Sequence, residues 1–138
     1  MIRTQGLGKG WVAVGGLALA FAAGVALADG GTGGDPKRGA EVFRVQCSVC
    51  HSADPARPSP IGPLLYGVVG RPAGTLAGFK YSDAMKKVGL AWTPANLDKY
   101  LENPWNIAPG TPMALVVPSE KNRADVIAYL TAQSAAKP

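Results

Sequence analysis

Apolar positions in this chain fall into two regimes. From Trp11 to Ala28 they run without a charge, in a stretch rich in Ala, Gly, Leu and Val. Beyond Asp35 they recur at helical spacing in short windows. Gly39, Phe43 and Cys47 stand at i, i+4 and i+8, one stripe of a helix. Asp35-Pro36 supplies its start, a carboxylate at the N-cap and a proline at the first helical position. The stripe predicts a helix from Pro36 to about Cys47-Ser48-Val49-Cys50-His51. Ser82 predicts the cap of a short helix through Lys87, stopped at Gly89. Thr93-Pro94 repeats the cap-then-proline start, with Leu97, Tyr100 and Leu101 as the apolar face and Asn103-Pro104 as the end. Ser119 caps a last helix whose Val126, Ile127, Tyr129 and Leu130 lie at core-facing spacing.

Between these windows the pattern lapses. Ser52 to Lys80 carries Pro55, Pro58, Pro60, Pro63 and Pro72 with five glycines, which disfavours a continuous helix or central strand. A second proline-rich loop is expected from Pro104 to Pro118. The fold class that results is all-α, three to five helices with long loops and little sheet. A loop as long as the first is unusual in a compact domain unless it wraps something. The chain has 138 residues, room for one small domain, and such a domain buries a modest core. A disulfide, a metal or a buried cofactor is the expected filler.

The uncharged run changes the reading of charge and compartment. Arg3 and Lys9 precede it, and it closes on Ala26-Leu27-Ala28, the small-x-small pattern of a signal-peptidase site. Residues 1–28 are therefore expected to be a signal peptide; an uncleaved membrane anchor through residues 11–28 is the competing reading. Residues 29–34, with four glycines, read as a flexible linker, and 35–138 as the domain. Cleavage would lower the formal net charge from +5 to +3, because Arg3 and Lys9 leave and no acid does. The only adjacent basic pairs are Lys37-Arg38 and Lys86-Lys87, so nothing resembles a nucleic-acid patch.

Candidate chemistry is concentrated in five positions. Cys47-Ser48-Val49-Cys50-His51 holds both cysteines and the single histidine of the chain. On a helical turn, side chains three and four apart share a face, so the two thiols and the imidazole can converge. That suits a haem: the thiols add across two vinyl groups and the imidazole reaches the iron. C-x-x-C-H is the attachment signature of haem c. Three plainer readings are weaker. A thioredoxin-like pair should follow a strand in a βα unit. A disulfide between such near neighbours constrains little. A zinc site lacks further Cys or His ligands.

With His51 used, the remaining soft donors are Met1, Met85 and Met113. Met113 closes Pro109-Gly110-Thr111-Pro112-Met113, a stiff loop between two helices that could present its thioether to the iron. A buried methionine is usually packing, and by itself Met113 reads equally as either; the lack of rivals favours ligation. Met85, on a short helix, reads as core filler.

The sequence resembles the class I cytochrome c family, the mitochondrial type and its bacterial periplasmic relatives, over nearly all of residues 34–130. The resemblance is carried by Gly34-Asp35, Gly39, Phe43, the C-x-x-C-H stretch, Gly62-Pro63-Leu64, Gly67, Gly70-Arg71 and Gly78-Phe79-Lys80-Tyr81. It continues in Trp92, Tyr100-Leu101-Glu102-Asn103-Pro104, the Pro109–Met113 stretch and Ile127-Ala128-Tyr129-Leu130. It implies a small class I fold around one covalent haem c, with thioethers at Cys47 and Cys50, His51 as proximal ligand and Met113 as distal ligand. By the same resemblance the Pro63 carbonyl accepts the outer imidazole proton. Arg71, Tyr81, Trp92 and Thr111 hold or neutralise the propionates, Tyr100 lies near the methionine sulfur, and Tyr129 packs into the gap at Gly39.

The implied function is a single-electron carrier, not an enzyme, shuttling between membrane oxidoreductases, oxidases or a dehydrogenase in the periplasm, as a monomer. The alternatives are a haem subunit dedicated to one dehydrogenase, or an open-site haem acting on peroxide or binding a small gas. Where the mitochondrial type surrounds its haem edge with lysines, this chain has Glu41, Gln46, Pro60, Trp105 and Pro112, and Leu115 follows where an aromatic is common. Lys86, Lys87, Lys121 and Arg123 remain. A docking face less basic and more apolar than the family norm is expected.

Overall fold

The computed structural model describes residues 33–135. The export segment and most of the glycine linker expected from sequence lie outside the described residues. Five α-helices are present among those described: α1 (Pro36–Val42), α2 (Asp83–Lys86), α3 (Pro94–Glu102), α4 (Pro104–Ile107) and α5 (Glu120–Ala135). No strand occurs among the described residues beyond an isolated bridge between Pro72 and Ala91.

Each helix begins where side-chain chemistry can satisfy its orphan amides. The Asp35 carboxylate accepts from the Lys37 N–H at 2.8 Å and the Arg38 N–H at 3.4 Å. Thr93 and Ser119 hydroxyls accept from Asn96 and Asn122, each at 3.2 Å. Ser82 accepts from the Met85 N–H at 3.3 Å. The first helix does not reach Cys47 as regular α-helix. Past Val42 it widens into a π-helical turn over Phe43–Cys47, which still buries Phe43 and Cys47. The expected loop from Pro104 to Pro118 is also corrected, because it opens with α4. Asn103 ends α3 and at once caps α4, its side chain accepting from the Trp105 N–H at 3.1 Å.

α1 and α3 pack on α5. A methyl group at Gly39 would overlap the Asp125 carbonyl and lie 2.8 Å from Tyr129 Cβ. Glycine is required there by the close approach of two backbones. Beside it, the Phe43 and Tyr129 rings meet at 5.4 Å between centroids. Gly34, which the sequence places in the linker, is packed too, since a Cβ there would overlap the Ala124 carbonyl. The packed domain thus begins inside the expected linker.

Buried Val126, Ile127 and Leu130 of α5 face Leu97, Tyr100 and Leu101 of α3 in one apolar cluster. Full burial of an aliphatic side chain contributes roughly 1.5–3 kcal/mol. The contact between α5 and the start of α1 encloses a charge. Asp125, 2% exposed, accepts from the Asp35 N–H at 2.7 Å, Arg38 Nε at 2.9 Å and Lys121 Nζ at 2.8 Å. Its carboxylate joins the first residues of the domain to its last helix.

The long loop returns on itself rather than wandering. Cys50 O accepts from both the Ile61 and Gly62 amides, and Ser52 O from Leu65. Further on, Gly70 N–H donates to Trp92 O, Trp92 N–H to Arg71 O and Ala73 N–H to Leu90 O, at 2.8–2.9 Å. The turn into this short ladder passes through Gly70 at φ +85°, a region that favours glycine. The loop thereby closes one wall of a cavity whose other wall is α3, α5 and the segment around Met113.

Candidate functional site

The cavity measures about 480 Å³ and its lining is mostly apolar. Cys47, Cys50, His51, Pro63, Met85 and Met113 all line it, so the structure brings the four sequence-predicted site residues together. Met85 is buried in the core, as expected of packing, yet also faces this space. Neither cysteine is in a disulfide; Cys47 is buried and Cys50 half-buried. Burial, with the Cys50 thiol adding to it, pushes the Cys47 thiol up to about 11.

His51 is fixed from two sides. Its Nδ1 lies 2.8 Å from Pro63 O. A carbonyl oxygen can only accept, so Nδ1 carries the proton and Nε2 keeps its lone pair. Burial pulls the imidazolium below its ordinary pKa, with the Pro63 bond opposing in part. The ring is therefore the neutral form that a metal ion binds. Beneath it, a Cβ at Gly62 would overlap Cε1 and lie 2.6 Å from Nδ1. That glycine was one link of a motif in the sequence; its reason is that the imidazole occupies the place of a side chain.

The opposite wall is built from the Met113 segment. Tyr100 and Thr111 hydroxyl oxygens are 3.3 Å apart, and the Met113 N–H lies 3.4 Å from Thr111 Oγ1. Thr111 thus has a protein partner in the Tyr100 hydroxyl, which burial pushes above the usual tyrosine pKa. Trp92 and Tyr100 rings meet at a tilt, 4.9 Å between centroids. Arg71 lines the cavity with Lys80, Tyr81 and Trp92. Two of its N–H groups donate to Leu64 O at 2.9 Å and Tyr66 O at 3.3 Å, which leaves part of a five-donor guanidinium for an anion.

A flat, apolar group with acidic side chains fits this donor set. Two thiols and a neutral imidazole stand at one wall and a thioether at another. Cationic and N–H or O–H donors gather where carboxylates could rest. Among the described residues there is no cluster of three or more His, Cys, Asp or Glu that could hold a bare metal ion. The arrangement suits an iron porphyrin.

Of the four basic residues that remain in the sequence, Lys86 is paired with Asp83 at 3.4 Å. Lys121 is bound to Asp125 at 2.8 Å. Arg123 is buried and bound to Asp98 at 2.7 Å. Lys121 and Asp125 stand four apart on α5, a spacing legible in the sequence, whereas Arg123 and Asp98 are 25 residues apart and leave no such sign.

A helical domain wrapped on an apolar cavity with a C-x-x-C-H turn in its wall defines a haem-attachment protein. The family Cytochrome c matches residues 36–134. Over 118 residues the chain is 48% identical to the cytochrome c2 of Rhodomicrobium vannielii, covering 85% of this chain and 94% of that protein. It is 47% identical over 98 residues to the cytochrome c2 of Rhodopila globiformis, covering 70% and 92% respectively. With the cytochrome c of Arabidopsis thaliana it shares 41% over 105 residues, 75% of this chain and 94% of that one. The chain belongs to the cytochrome c family, electron carriers that hold one haem c covalently.

Proposed function

We propose that this chain is a periplasmic single-electron carrier whose haem is joined through Cys47 and Cys50 and ligated by His51 and Met113. The observation that carries this reading is the 2.8 Å contact of His51 Nδ1 with Pro63 O, within a cavity that Cys47, Cys50 and Met113 also line. The bound group supplies a one-electron iron couple, and histidine–methionine ligation raises its potential relative to harder donors. The residues supply orientation and exclusion of water. If His51 and Met113 both bound the iron, no place would remain on it for a substrate, which favours a carrier over a catalyst. Carbon monoxide added to the reduced protein tests this. Wild type should bind it slowly and Met113→Ala readily; ready binding by wild type at neutral pH would instead support an open-site haem.

Export through residues 1–28, with cleavage after Ala28, places the carrier in the periplasm; the relatives named cytochrome c2 are consistent with a bacterial carrier. N-terminal sequencing of the mature protein separates cleavage from a tether through residues 11–28. Partners are redox proteins, and the mouth of the cavity indicates how they are met. Val49 and Ile61, 69% and 70% exposed, line it with Leu115 and Pro112. In the flanking segments Arg44 is paired with Glu41 and Arg57 with Asp54, and exposed Lys80 is a cation that lines the cavity itself. Such a rim offers an apolar contact and little long-range field. Electron transfer to membranes that carry the oxidase should vary little between low and physiological salt; a steep fall would contradict it.

A further inference from the structure

The strap that carries Met113 is held at its ends. At the first, the Thr111 N–H donates to Ala108 O at 2.9 Å and the Thr111 hydroxyl meets Tyr100 of α3. Within the strap the Met113 amide makes only its long contact to Thr111. At the far end the Val117 N–H donates to Leu101 O of α3 at 2.7 Å. Val117 O and Pro118 O both accept from Nη1 of Arg123 at 3.1 Å. Nε of the same guanidinium donates to Asp98 Oδ1 of α3 at 2.7 Å. One planar, buried fork thus ties the end of the strap to α3 and α5 together. A lysine would bring a single ammonium on a flexible stem and cannot reproduce that fork.

We propose that Arg123 is a positioning residue for Met113. By clamping the carbonyls of Val117 and Pro118 against Asp98, it holds the strap over the cavity and sets how often the Met113 thioether withdraws. The proposal rests on reading Met113 as the axial ligand. Loss of the clamp frees a segment that has almost no hydrogen bonds of its own, so strap opening responds more than the rest of the fold.

Imidazole binding to the oxidised holoprotein tests this, because at saturating imidazole the rate reports withdrawal of Met113. In Arg123→Lys that limiting rate should rise about tenfold, the factor that about 1.4 kcal/mol of lost clamp gives. Asp98→Asn, which leaves the two carbonyl contacts in place, should rise less. Gly39→Ala strains the α1–α5 contact without removing any hydrogen bond of the strap and should raise the rate less than Arg123→Lys does. The proposal is overturned if Arg123→Lys keeps the wild-type rate, or if Gly39→Ala rises as much as Arg123→Lys. Should Arg123→Lys fail to fold, Asp98→Asn decides by the same comparison. A wild-type rate as fast as that of Met113→Ala would remove the ligand reading itself, and this proposal with it.

Discussion

His51 and Pro63 are joined side chain to backbone, Nδ1 to carbonyl oxygen at 2.8 Å, across the start of the long loop. The contact fixes the tautomer and holds the ring against Gly62, where no side chain can fit. Gly62→Ala forces the ring or the loop to move. The variant should lose about 1–3 kcal/mol of stability, the usual effect of overpacking, and yield less haem-loaded protein. Thermal unfolding and the ratio of haem to polypeptide check both.

Gly39→Ala places a methyl into the Asp125 carbonyl and beside Tyr129 Cβ. Backbone on both sides cannot yield as a flexible side chain would, so α1 must shift off α5. A loss of about 1–3 kcal/mol is expected in denaturant titration.

Asp125→Asn keeps the shape of the buried side chain and removes its charge. Arg38, half exposed, can be hydrated when the pairing is lost, which moderates the effect. A loss of about 1–3 kcal/mol at neutral pH is expected, measured by chemical denaturation.

The same residue predicts the acid limb of stability. Arg38, then the Asp35 amide and Lys121, hold the Asp125 carboxyl well below the usual carboxylate range, against the effect of burial. A carboxyl depressed in the folded state stabilises fully above its unfolded pKa of about 3.9, and that contribution fades as pH falls through and below it. Wild type should therefore lose stability more steeply than Asp125→Asn between roughly pH 5 and pH 2. Parallel curves for the two proteins would count against the network.

Tyr100→Phe removes the hydroxyl partner of buried Thr111. The expected loss is about 0.5–1.5 kcal/mol, with helical circular dichroism unchanged. Denaturant midpoints of the two proteins, taken side by side, measure it.

What the sequence made legible was local chemistry. Asp35-Pro36, Thr93-Pro94 and Ser119 mark helix starts because a cap acts over two or three residues. The fused motif at positions 47–51 was legible because its donors are contiguous. From the sequence Asn103-Pro104 signals only a stop, yet the pair both ends one helix and starts another of four residues. The π-helical turn left no mark, since its apolar stripe matches that of an α-helix. Arg123 looked like a surface cation. Only the fold brings Asp98 and the Val117 and Pro118 carbonyls to it, and a single chain carries no signal of such distant pairings. The reach of Asp125 to Asp35 and Arg38 is hidden for the same reason, although Lys121 stands only four residues before it.

The central claim is that both thiols of the Cys47–His51 turn are spent in joining one haem to the chain. Intact mass of protein made in a host with haem-attachment machinery, recorded before and after treatment with a thiol alkylator under denaturing conditions, tests it most directly. The account predicts one haem per polypeptide and no added alkyl group. A haem-free mass that gains two alkyl groups would contradict it.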